Sequence, residues 1–161
     1  MDTKVNLNTS SSTDLIERSI VINAPRERVW RALANAEEFG NWFGVDLKGQ
    51  TFTAGQRARG LMTGCGHEEA WFDVVIDRID PQDLFSYRWH PLAIDPAVEY
   101  SKEEPTLVTF TLQDAPDNGT LLTVVESGFD NVPPHRRLEA FRMHNQGWEA
   151  QLNNIAKHVS A

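Results

Sequence analysis

The feature that most constrains this chain is a long apolar stripe near its end. Over residues 136–159, Leu138, Phe141, Trp148, Leu152, Ile155 and Val159 recur at three- and four-residue steps. That spacing puts side chains on one face of a helix. About 24 residues at about 1.5 Å each make a helix roughly 36 Å long, enough to cross a whole sheet. Pro133-Pro134 opens it. Gly147 sits in its middle, where glycine costs about 1 kcal/mol relative to alanine. Its position just before the core-facing Trp148 favours a close approach of something to the backbone there over the alternative, a neutral glycine at a surface position.

The partner for that stripe is legible upstream. Residues 15–23 alternate Ile16, Ile20 and Ile22 on one face, with Arg18 interrupting. Short strands are expected at 45–48 and 57–63, and a longer one at 69–79 with Phe72, Val74 and Ile76 together. Phe85, Tyr87 and Trp89 share a face of 84–90, and Val108, Phe110 and Leu112 share a face of 106–113. Residues 120–127 close the pattern with Leu122, Val124 and then Glu126. Asp80-Pro81-Gln82-Asp83 has the residues of a type I turn, and Asp117-Asn118-Gly119 those of a hairpin. Strands joined this tightly pair antiparallel and bury one face. The fold class is therefore α+β, a curved sheet of about six strands against a long C-terminal helix.

Two short helices follow the first strand. Pro25 is suited to a first helical position, and Val29, Trp30 and Leu33 then share a face. Asn35 caps the second helix, with Glu38 three residues on as in a capping box, and Gly40 and Gly44 end it. The pair does not read as a DNA-binding helix-turn-helix, because the second helix is too short, too apolar and not basic.

Composition excludes several classes of function. The 161 residues suit one domain spanning 15–161 after a polar tail over 1–14. The net charge of −8 opposes phosphate backbones, so no nucleic-acid partner is expected. The densest basic cluster, Arg136-Arg137 with Arg142, reads as a solvated helix start. No apolar run approaches the ~20 residues of a membrane span, and the start of the chain does not look like a signal peptide. One cysteine, Cys65, fits a reducing compartment, so a cytoplasmic location is expected, as a monomer. Cys65-Gly66-His67-Glu68-Glu69 lacks the second ligand pair of a zinc site and reads as a hairpin turn. No metal or cofactor is expected. His67, His90, His135, His144 and His158 are scattered, and no catalytic triad or phosphate-binding loop is legible. The connection over 90–105 is long and acidic, carries Pro91, Pro96 and Pro105, and reads either as a lid or binding loop or as a tolerated insertion.

Order and spacing together bring out a resemblance. Ile22-Asn23-Ala24-Pro25 with Val29-Trp30-Arg31-Ala32-Leu33, Leu84-Phe85-Ser86-Tyr87-Arg88-Trp89, Val108-Thr109-Phe110-Thr111-Leu112, Gly119-Thr120-Leu121-Leu122-Thr123 with Glu126-Ser127-Gly128-Phe129, and Gly147-Trp148 with Leu152 and Ile155 carry it. With these segments the chain resembles the START-like (SRPBCC) superfamily, which has the helix-grip fold. More narrowly it looks like the bacterial family of homologues of activators of the 90-kDa heat-shock-protein ATPase. The resemblance implies a cavity between sheet and helix that binds an apolar small molecule such as a lipid, an aromatic compound or a polyketide. It also implies, as alternatives, an enzyme using the same cavity or a stress-related, co-chaperone-like module with a chaperone partner. The eukaryotic activators carry a further N-terminal domain where this chain has only the polar tail.

Given such a cavity, strand parity and helix face select Phe72, Tyr87, Trp89, Phe110, Met143 and Trp148 as its lining. Glu126 joins them because it continues the buried face of Leu122 and Val124, and a carboxylate there must be hydrogen-bonded, paired or protonated. Ligand orientation is one role for it. An exposed strand end, or pairing with Arg18 or Arg88, is the structural alternative. For an enzyme, Glu126 or His90 would supply acid–base chemistry. No residue is assigned as catalytic.

Overall fold

The computed structural model describes residues 14–63, 70–91, 93 and 97–160. Strand β1 (Leu15–Ile22) leads into α1 (Arg26–Ala34) and α2 (Ala36–Phe43). Strands β2 (Arg57–Leu61), β3 (Trp71–Asp80), β4 (Leu84–Trp89), β5 (Thr106–Ala115) and β6 (Gly119–Ser127) follow, and α3 (Pro134–Ser160) is the last described element. Among the described residues the strands form one antiparallel six-stranded sheet in the order β1-β6-β5-β4-β3-β2. Each of β2 through β6 pairs with its neighbour in sequence, with tight turns after β3 and β5 and the long 90–105 connection after β4; only β1 crosses over, and it reaches the far side of β6. The expected polar segment over 1–13 and the hairpin turn at Cys65–Glu69 lie outside the described residues.

Alternation places the core. Phe72, Val74 and Ile76 on β3, Phe85 and Tyr87 on β4, Val108, Phe110 and Leu112 on β5, and Leu122 and Val124 on β6 are all buried. Opposite them, α3 buries Ala140, Trp148, Leu152, Ile155 and Val159. It packs closely on β1, α1 and α2. Over the middle of the sheet the space is filled by rings, with Trp148 at 5.6 Å from Phe110, 5.9 Å from Trp89 and 6.2 Å from Phe43. Arg18, which breaks the alternation of β1, reaches α3 and bonds Asn145 at 3.3 Å.

Local details depart from the sequence reading for identifiable reasons. Residues 45–48 form no strand; Val45 makes one isolated bridge, to Met62. Leu138 is 55% exposed rather than buried, and Ala140 takes the place against the core. The turn after β3 keeps its Asp83 N–H to Asp80 C=O bond at 2.9 Å, but Gln82 has φ 63°. A positive φ at the third position makes it type II, since Pro81 permits either type and the next residue decides. In the following hairpin, Asp117 and Asn118 both have φ near 60°, the type I′ geometry whose twist matches paired strands. A bulge between Ile76 and Arg78 shifts the β3–β4 register. Arg136 is not solvated. Its side chain is 11% exposed, pairs with Glu103 at 2.5 Å and donates to the Pro91 carbonyl at 2.6 Å. The first turn of α3 thus anchors both ends of the 90–105 connection.

Helix α2 shows how the wall of the core is set. The Asn35 side chain accepts the Glu38 N–H at 2.9 Å, as capping requires. The Glu38 carboxylate does not complete a capping box; it binds Arg28, Arg31 and His158 instead. Gly40 lies inside the helix and does not end it. Gly44, left-handed at φ 95°, does. Gly40 is needed because the chain doubles back, and a Cβ there would stand 2.3 Å from the Val45 carbonyl oxygen. Gly40→Ala would gain about 1 kcal/mol of helix propensity, but backbone would have to move, at about 1–3 kcal/mol. The clash wins, so this variant should melt at a lower temperature in circular dichroism; an unchanged or raised midpoint would contradict the close approach.

Candidate functional site

Glu126 is the last inward residue of β6 and is fully buried, with 0% exposure. Its parity dictates this, because it faces the core with Val124 and Leu122, between Ile16 of β1 and Val108 of β5. It pairs with neither Arg18 nor Arg88. Four groups from three elements converge on it. Oε2 accepts the Trp89 indole N–H at 2.8 Å and the Thr106 hydroxyl at 2.6 Å. Oε1 accepts the Trp148 indole N–H at 2.8 Å and meets His144 Nδ1 at 2.7 Å. Burial pushes the carboxyl up; attraction to His144 and the hydrogen bonds from His144, Thr106 and Trp148 outweigh it, and the group sits below the ordinary carboxylate value. An ionised carboxylate only accepts hydrogen bonds, so all four partners donate and His144 Nδ1 carries a hydrogen.

These donors are also a wall. A cavity of about 560 Å³ lies between the middle of α3, the end of α2 and the β3–β4 side of the sheet. Trp42 and Phe43 line it from α2, Phe72 from β3, Trp89 from β4, and Met143, His144, Gly147 and Trp148 from α3. Trp71 and Met143, each about half exposed, stand at its rim. The wall residues are themselves fixed. Trp42 donates its indole N–H to the Ala32 carbonyl at 2.8 Å, and Gln151 ties α3 to the Phe43 carbonyl at 2.9 Å. Among the described lining residues the titratable groups are His90 and His144. His90 Nε2 is engaged with the Glu103 carbonyl at 2.9 Å.

The residues selected by parity fall in two layers. Phe72, Trp89, Met143 and Trp148 line the cavity. Tyr87, Phe110 and Glu126 are buried behind it, Tyr87 at 5.3 Å from Trp89 and Phe110 at 5.6 Å from Trp148. Tyr87 Oη is buried without a hydrogen-bond partner among the described residues. Burial, and then the nearby Glu126 charge, push its hydroxyl well above the usual tyrosine value, so it stays protonated. Gly147 answers differently from expectation. A Cβ there would meet nothing within 4 Å, so no segment approaches the backbone, and the glycine faces the cavity. His144 was missed by sequence reading. It lies on the same turns of α3 as the rim residue Met143 and Trp148, but only the fold brings it to Glu126.

Among the described residues, no group of three or more His, Cys, Asp or Glu side chains is placed to hold a metal ion, and no helix is long and apolar enough to cross a membrane. The family described as Activator of Hsp90 ATPase homolog 1-like protein matches residues 23–160. No curated protein matches the chain. Solved structures do. A protein of Mesorhizobium loti is 24% identical, with 91% of this chain and 96% of that one covered and a TM-score of 0.69. A protein of Arthrobacter aurescens is 16% identical, with 97% and 91% covered and a TM-score of 0.74. DynU16, a protein in the dynemicin biosynthetic locus, is 24% identical; this chain aligns over 92% of its length to 48% of that one, with a TM-score of 0.68. At these identities the likeness concerns the fold.

Removing the carboxylate charge tests the cluster. Glu126→Gln would place an amide N–H₂ against hydrogen-bond donors, and should cost about 3 kcal/mol or more at neutral pH. Because the folded carboxyl lies below its ordinary value, its contribution is present above that value and is lost as pH falls through the lower, folded one. Denaturant melts should therefore show wild-type stability falling from about pH 4.5 downward, and less steeply in Glu126→Gln. Glu38 and Asp73, also held low, would keep some acid sensitivity in both. A neutral-pH loss under about 1 kcal/mol would contradict the account.

Proposed function

Since the chain belongs to the family of Activator of Hsp90 ATPase homolog 1-like proteins, we propose that it binds an apolar small molecule, of lipid, aromatic or polyketide-like character, in the cavity between sheet and α3. The observation that carries this reading is the cavity itself. About 560 Å³ lies within the range of ligand sites, and its walls combine six indole and phenyl rings with methionine, alanine and glycine and with the polar Thr63, His90, His144, Gln151 and Asn154. The rings pack on one another in the wall, Phe43 at 5.2 Å from Phe72 and Phe72 at 5.9 Å from Trp89, and leave this volume open beside them. Gly147 adds support, because a helix interior that forgoes about 1 kcal/mol of propensity does so where a side chain would intrude on that space. Its near-neutral lining favours an uncharged ligand.

Gly147 gives a test that keeps the fold. Gly147→Leu should be at least as stable as wild type, because it restores helix propensity, and should put its side chain into the cavity. Native mass spectrometry of freshly purified protein, followed by tryptophan-fluorescence titration with fatty acids and polycyclic aromatics, measures the effect. The wild type should bind at least one class, and Gly147→Leu should weaken that binding by about tenfold or more, equivalent to about 1.4 kcal/mol. Equal affinity in the two proteins would place the ligand elsewhere.

A further inference from the structure

Among the polar groups of the cavity wall, His144 has chemistry that is already half committed. His144 is held by Glu126 at Nδ1 and packed edge-on between rings, Trp89 at 5.2 Å and Phe129 at 6.0 Å. Its side chain is 15% exposed. Nε2 pairs with no described residue, yet among the described residues the one buried side-chain polar atom without a partner is Tyr87 Oη. Nε2 is therefore open, on a residue that lines the cavity. With Nδ1 turned into the wall, the opposite ring edge is what His144 offers to an occupant.

We propose that His144 Nε2 is the polar anchor of the cavity, and that the ligand it selects is an aromatic compound bearing a phenolic or enolic hydroxyl. This rests on the cavity-binding reading above. The hydroxyl class follows from proton counting. Glu126 fixes a hydrogen on Nδ1, so a neutral imidazole presents a lone pair at Nε2. A phenol or enol donates one hydrogen to it. If that hydrogen passes to the ring, the phenolate or enolate oxygen accepts it back from Nε2–H. One hydrogen lies between oxygen and nitrogen in either state, so the match survives transfer. An ether lacks that hydrogen and can only accept from a charged ring, whereas a hydroxyl donates to the neutral ring and accepts from the charged one. The indoles of Trp42, Trp89 and Trp148 supply faces for an aromatic ring, and their N–H groups do not compete for the ligand. Those of Trp89 and Trp148 are spent on Glu126, and that of Trp42 on Ala32. Glu126 acts as a positioning residue that sets the tautomer and ring orientation of His144.

The test uses the full chain with 2-naphthol and 2-methoxynaphthalene as matched probes. Affinities are measured by tryptophan fluorescence and calorimetry on wild type, His144→Asn and His144→Gln. Asparagine places its amide near the position of Nδ1 and retains a donor for Glu126, but has nothing at Nε2; glutamine reaches the Nε2 position. Wild type should prefer 2-naphthol by about three- to tenfold, the range of one net hydrogen bond. His144→Asn should lose that preference while still binding 2-methoxynaphthalene, and His144→Gln should recover part of it. In ¹⁵N-histidine-labelled wild type, the Nε2 resonance of His144 should move with 2-naphthol and stay with 2-methoxynaphthalene, a response that a purely structural histidine would not give. Equal binding of both probes to wild type, or a preference that persists in His144→Asn, overturns the anchor and leaves the cavity reading standing. Binding of neither probe counts against the cavity reading and removes the anchor with it.

Discussion

One buried carboxylate organises the end of the sheet that faces the middle of α3. Glu126 sits with 0% exposure on the inner face of the sheet, where an unpaired charge is not tolerable. The cost is offset by four donors, and because they come from β4, β5 and α3, meeting it fixes three elements at once. Charge-assisted hydrogen bonds are short and directional, so the indoles of Trp89 and Trp148 cannot turn or slide to fill the space beside them. The same contacts that satisfy the charge hold a wall in place. A hydrophobic residue at 126 would pack the core with less desolvation, but it would leave two indole N–H groups and a histidine unmatched.

The cavity is bounded by independent ties around that centre. Gln151 joins α3 to the end of α2, and Trp42 is hydrogen-bonded into α1. Arg136 joins the first turn of α3 to the connection that follows β4, through Glu103 and the Pro91 carbonyl. The Glu103 carbonyl in turn meets His90 at the cavity. Rigid walls of this kind reduce the ordering cost of binding. Tyr87 marks a place where polar satisfaction is incomplete, its hydroxyl buried beside Phe72 and Trp89 without a partner among the described residues.

The fold was readable because its signals are local. Period-2 alternation located β3 to β6 and their inner faces, and the three-four spacing of Trp148, Leu152, Ile155 and Val159 located α3. The parity of Glu126 pointed to a buried carboxylate, with an exposed strand end as the alternative. What parity does not encode is depth: Tyr87 and Phe110 alternate inward as Trp89 does, yet they lie behind the cavity wall. Nor does it encode partners from distant segments. His144 is 18 residues from Glu126, on another element, and in the sequence it is one of five scattered histidines. Gly147 was visible as an anomaly, but an empty neighbourhood and a crowded one leave the same trace in a helix pattern. The turn at Gln82 was misread as type I because proline at the second position suits both types.

The account depends above all on the two indoles being bound to Glu126, and their N–H protons report it directly. The chain has five tryptophans, so the indole region of a ¹⁵N–¹H spectrum carries five assignable signals. Hydrogen exchange should leave Trp89 and Trp148 protected long after the half-exposed Trp71, and both protected signals should shift together on acidification, at a pH below the ordinary carboxylate range. Exchange of Trp89 and Trp148 as fast as that of Trp71, or titration of only one of them, would mean that Glu126 does not hold the wall.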